Sequence, residues 1–120
     1  MAGRILFVEN MDKTRLITHR MLTKMGYEVT SVNSADEALE VLDQGQEFEV
    51  LFTDIKMPGS MDGLGLAVEV KKRFPNIIIL FTSGLTALSD EELITLSAHF
   101  ISKPYLRKEL ADKLGAIINA

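Results

Sequence analysis

The chain has 120 residues, a formal net charge of −4 and no cysteine. That length suits one hydrophobic core, a single domain over residues 1–120. The absence of cysteine excludes disulfides and thiolate metal sites, and the acidic balance argues against a nucleic-acid binder, which would carry a basic stripe. No apolar run reaches the roughly 18 residues of a membrane span. The N-terminal Met1-Ala2-Gly3-Arg4 lacks signal-peptide organisation. The expectation is a cytoplasmic protein with no membrane partner.

"RILFV" (4–8) is a short apolar run rich in strand formers. Over 13–25, Ile17, Met21 and Met25 recur every fourth residue, a helical stripe that Gly26 ends. "YEVTSV" (27–32) alternates like a strand with one wetter face. Ser34 and Glu37 are spaced as a capping box, Ala35, Ala38, Leu39 and Leu42 form the apolar face behind it, and Gly45 is a stop. "FEVLFT" (48–53) is the next strand and runs into Asp54. Leu66, Val70 and Phe74 mark a third helix closed by Pro75. "IIILFT" (77–82) is the most apolar stretch and suits a strand covered on both faces. Ser89 and Glu92 form a second capping box opening a short helix. "HFIS" (99–102) is the fifth strand, and Leu106, Leu110, Leu114 and Ile117 stripe the last helix. Five strand–helix pairs in succession predict an α/β fold, a parallel sheet with helices on both faces.

In such a sheet, ligands bind beyond the carboxyl ends of the strands. After the first strand come Glu9, Asn10 and Asp12; after the third, Asp54; after the fourth, Thr82, Ser83 and Gly84; after the fifth, Lys103 and Pro104. Carboxylates gathered at one point repel unless a cation sits between them. Oxygen ligands suit Mg²⁺ or Mn²⁺ and not zinc. Lysine and serine can hold phosphoryl oxygens, and an aspartate can itself be a nucleophile, giving an acyl phosphate. Together these residues suggest a phosphoryl-acceptor aspartate.

Four motifs in order, "ILFVEN" (5–10), "FTDIKMPGSMDG" (52–63), "LFTSG" (80–84) and "FISKPY" (100–105), each at a strand's end, resemble the receiver domain of a two-component response regulator. The resemblance covers essentially the whole chain. It implies a flavodoxin-like (βα)5 doubly wound fold with strand order 2-1-3-4-5. It implies Asp54 as phosphoacceptor, Glu9, Asn10, Asp54 and the backbone carbonyl of Lys56 as ligands of Mg²⁺ (or Mn²⁺), and Ser83 and Lys103 on the phosphoryl group. It also implies a cis peptide at Pro104 and Phe100 as the aromatic switch. The partner would be a histidine kinase or phosphotransfer protein whose phosphohistidine donates to Asp54. The chain would be no enzyme beyond catalysing its own phosphorylation and dephosphorylation. Its output would be the face made by the fourth helix, fifth strand and fifth helix, where Glu91, Glu92, Arg107 and Lys108 could pair across a homodimer.

The chain departs from the family at Asn10, where aspartate is usual: the pocket keeps two carboxylates, Glu9 and Asp54. A degenerate receiver, acting as a phosphorylation-independent interaction module, is the alternative this raises. The longer loop "PGSMDG" and the "TSG" sequence are similar to receivers attached to hybrid sensor histidine kinases. A flavodoxin-like redox protein fits poorly, because "ENMDKT" (9–14) has no glycine to cradle a flavin phosphate. The bland readings weigh less here. Asp54 would be a strand-end acid, Lys103 a solvated lysine, and Ser83 part of an ordinary turn. His19 and His99 lack a second histidine at ligand spacing, and Gly59, Gly63 and Gly65 do not match a dinucleotide loop. "KKR" (71–73) suits a helix C-terminus and needs no nucleic acid.

Overall fold

A computed structural model describes residues 3–84 and 88–119, so Met1 and Ala2 of the N-terminal run lie outside the described residues. Strands and helices alternate as β1 (Arg4–Val8), α1 (Asp12–Lys24), β2 (Glu28–Val32), α2 (Ala35–Asp43), β3 (Val50–Asp54), α3 (Gly63–Arg73), β4 (Ile78–Ser83), α4 (Asp90–Thr95), β5 (Ala98–Ser102) and α5 (Arg107–Ile118). The strands form one parallel sheet in the order β2-β1-β3-β4-β5, as expected.

Strand side chains alternate between faces, and the two faces make two cores. Ile5, Phe7, Val50, Phe52, Leu80 and Ile101 pack with Leu22 of α1 and Leu110, Leu114 and Ile117 of α5. Leu6, Val8, Leu51, Ile79 and Phe81 pack with Ala38 and Leu42 of α2 and Leu66, Ala67 and Val70 of α3. Both faces of β1, β3 and β4 are therefore covered, which is why these strands read as near-continuous apolar runs.

The ends of the elements show local chemistry. Gly26 turns the chain out of α1 at φ 101°, a conformation that costs glycine little. Ser89 and Glu92 close the expected capping box, the Ser89 Oγ accepting from the Glu92 N–H and the Glu92 carboxylate from the Ser89 N–H. The earlier pair closes only half of one. The Glu37 N–H donates to the Ser34 Oγ, but the Glu37 carboxylate takes the Asn33 N–H instead. Asp62, not singled out by the sequence, caps α3 by accepting from the Gly65 N–H. The third strand begins two residues later than its apolar run and includes Asp54. Glu49, just before it, bridges Arg4 and Ile78 through its backbone.

The chain leaves β1 toward β2 on one side, then crosses to β3 on the other. The crevice beyond the carboxyl ends of β1 and β3 is the switch point of the sheet.

Candidate functional site

β1 and β3 run in register from Ile5–Val50 to Val8–Thr53, so Glu9 and Asp54 leave the sheet side by side at this crevice. Both lie two residues beyond a phenylalanine of the α1/α5 core, Phe7 or Phe52, and alternation puts them on that face. Lys103 follows β5 by one residue, and its N–H donates to the Ser83 carbonyl at 3.0 Å, extending the pairing of β5 with β4. Three strands thus deliver two acids and one lysine to one place.

They touch. Lys103 Nζ donates to Glu9 Oε1 at 2.6 Å and to Asp54 Oδ2 at 2.9 Å. The Glu9 side chain is 0% exposed, Asp54 13% and Lys103 22%. Burial pulls the lysine pKa down, but the bonds and charges of Glu9 and Asp54 outweigh it, and the pKa rises above the ordinary lysine value. Glu9 Oε2 accepts the Met11 N–H at 3.1 Å, and Arg15 donates to the Glu9 carbonyl at 2.9 Å and to Asp12 at 2.7 Å. Glu9 is buried and Asp54 partly so, and one lysine bonds both carboxylates.

The remaining candidates surround this triad. Asn10, half-buried, follows Glu9, and Lys56 lies in the loop two residues past Asp54. Among the described residues no group of three His, Cys, Asp or Glu could hold a metal ion, and the residue after Glu9 is the amide Asn10. The donors at hand are oxygens, a type that suits a hard divalent cation. Ser83 is buried at the end of β4, and the Lys103–Pro104 peptide is cis, as expected. Phe100 is half-buried against the α2/α3 core, opposite Phe81 in the β4–β5 register. Alternation puts Phe100 and Ser83 on the same face of the sheet. The histidines stand apart from the triad: His19 Nδ1 bonds the Ser31 hydroxyl. His99 is half-buried, its pKa lowered by burial and by Lys113 and Lys71.

Three residues at this site were not assigned a role from the sequence. A Cβ on Gly63 would lie 1.9 Å from the Asp54 carbonyl oxygen, so the start of α3 rests directly on the backbone of Asp54. Thr82, opposite Asp54 in the β3–β4 register, is 0% exposed, and its hydroxyl has no hydrogen-bond partner among the described residues. Tyr105 bonds Thr18 through its hydroxyl at 2.8 Å. A glycine at a helix start against propensity, and a hydroxyl in an apolar strand, were the available signals. A hollow of about 900 Å³ lies at the other end of the strands. Its two arginines already pair, Arg4 with Glu28 and Arg73 with Asp43.

Residues 5–115 match the family model described as the response regulator receiver domain. The chain belongs to that family. The receiver is 33% identical over 119 residues to the response regulator receiver protein CpdR of Brucella abortus, covering 98% of each. It is 34% identical over 120 residues to the sensor kinase CckA of the same organism, where it covers 98% of this chain but spans 13% of the kinase. Among solved structures, the receiver domain from the hybrid histidine kinase CckA superposes with a TM-score of 0.81 at 29% identity, over 97% of this chain and 99% of that one. A response regulator receiver protein from Sinorhizobium medicae gives 0.84 at 26% identity, over 99% and 96%.

Proposed function

We propose that this receiver accepts a phosphoryl group on Asp54 from the phosphohistidine of a histidine kinase or phosphotransfer protein. The observation that carries the reading is the triad: Asp54 Oδ2 is 2.9 Å from the Lys103 ammonium, which also holds Glu9. An Asp54 carboxylate oxygen attacks phosphorus as the phosphorus–nitrogen bond breaks. The imidazole leaves neutral if its other nitrogen carries a proton, and Asp54 becomes an acyl phosphate. Lys103 turns from the carboxylate to a phosphoryl oxygen, and Ser83 supplies a hydroxyl to another. Glu9, Asn10, Asp54 and the Lys56 carbonyl would hold Mg²⁺, which supplies neutralisation of the phosphoryl oxygens' charge. No other substrate is turned over.

The added charge of about −1.5 to −2 draws Ser83 toward the phosphoryl group and opens space on its face of the sheet for Phe100. The face of α4, β5 and α5 then changes its preference for partners, a shift between two populations. The likeness to the CckA receiver supports a kinase as donor. A second reading, a receiver that works without phosphate, is favoured by the two-carboxylate pocket, in which Lys103 already binds both acids.

Incubation with acetyl phosphate and Mg²⁺, followed by intact mass, separates the two. One phosphoryl group gained by the wild type and none by Asp54→Asn is the expected result. No uptake by the wild type at high Mg²⁺ establishes the second reading.

A further inference from the structure

Lys103 is held in place by a turn that has few ties of its own. Its start is bonded to β4 through the Lys103 N–H and the Ser83 carbonyl. Pro104 is exposed and has no N–H to donate. On one side lies a hollow of about 470 Å³, lined in part by Ile17, Met21, Lys103, Pro104 and Tyr105, so this side of the turn is not packed against protein throughout.

Tyr105 ties down the far end of this turn twice. Its hydroxyl bonds the buried Thr18 of α1 at 2.8 Å. Its ring meets Phe52 with centroids 5.8 Å apart, and Phe52 meets Phe7 at 5.0 Å. Each ring is two residues from a member of the triad: Phe7 from Glu9, Phe52 from Asp54, Tyr105 from Lys103. An aromatic row thus underlies the ionic row, and the Thr18 bond anchors its end. Burial raises the phenol's pKa, with the Thr18 bond and Lys103 opposing, so the hydroxyl stays protonated at neutral pH.

We propose that Tyr105 is a positioning residue for Lys103. Its hydroxyl bond to Thr18 and its tilted ring contact with Phe52 keep the turn seated, so that the ammonium stays between Glu9 and Asp54. The placement of Lys103 follows from contacts alone. The effect on phosphoryl uptake rests in addition on the reading of Asp54 as phosphoacceptor.

The test uses Tyr105→Phe, which removes only the hydroxyl, Thr18→Val, and the pair together. Lysine acylation by a small N-hydroxysuccinimide ester is followed peptide by peptide. Losing one hydrogen bond is expected to raise labelling of Lys103 about 2- to 10-fold in each single variant. The double variant should show no further rise, since both changes break the same bond, and Lys24 and Lys72 should be unchanged. Unchanged labelling of Lys103 in the single variants overturns the proposal. So does an equal rise at Lys24 and Lys72, which would mean general loosening. With acetyl phosphate and Mg²⁺, Tyr105→Phe should lower the maximal rate of uptake and leave the apparent KM for acetyl phosphate unchanged. If the wild type takes up no phosphoryl group, the proposed function fails while the labelling still decides the role of Tyr105.

Discussion

Replacing Lys103 by methionine keeps an unbranched side chain of similar length and removes the charge. Glu9, with no exposure, and Asp54, at 13%, then face each other without their shared cation. Breaking a buried ion pair by removing one partner costs about 3–5 kcal/mol. Because Lys103 is 22% exposed and water can reach the cavity, the loss belongs at the low end, about 3 kcal/mol. For a chain of this size that is a fall in Tm of about 12 °C. Urea denaturation with and without Mg²⁺ measures it, and millimolar Mg²⁺ should recover part of the loss, since a cation then replaces the ammonium between the acids. The alkaline limb gives an independent check. The folded pKa of Lys103 is raised, so its contribution is whole below the ordinary value of 10.5 and is lost as pH rises through the folded value. Tyr27 and Tyr105, raised mainly by burial, act in the same sense in both proteins. The wild type should therefore lose its advantage over Lys103→Met at high pH. A variant as stable as the wild type, with no response to Mg²⁺, would refute the view that Lys103 balances this pocket.

Asn10→Asp adds a third acid beside Glu9 and Asp54. It should tighten Mg²⁺ binding about tenfold or more, read by calorimetry, and lower metal-free stability by about 1 kcal/mol. Gly63→Ala would place a methyl 1.9 Å from the Asp54 carbonyl oxygen. Urea denaturation should show a loss of about 3 kcal/mol, with phosphoryl uptake slowed because the end of β3 must shift. Thr82→Val removes a buried hydroxyl without a described partner and should raise stability by about 1 kcal/mol in the same assay.

The fold was legible because its strands are covered on both faces, and runs such as "IIILF" (77–81) leave little else they could be. Element ends were less so. Phe48 and Glu49 read as strand residues because Phe48 is apolar and buried, yet they lie outside the strand. Glu37 has the spacing of a capping box, but its carboxylate swings to Asn33. At the site, Asp54, Glu9 and Lys103 could be placed together because each stands at the carboxyl end of a strand's apolar run, although Lys103 and Glu9 are 94 positions apart. Gly63 and Tyr105 escaped. Helical spacing says nothing of the backbone beneath a helix's first residue. Nor does the sequence mark the bond between Thr18 and Tyr105, 87 positions apart.

The central claim is that Asp54 carries the phosphoryl group. Phosphorylated protein can be reduced with borohydride, which converts an aspartyl phosphate to homoserine, and its peptides sequenced by tandem mass spectrometry. Homoserine at position 54, and at no other aspartate, is the predicted result. Homoserine at Asp12 or Asp62 with Asp54 intact would contradict it.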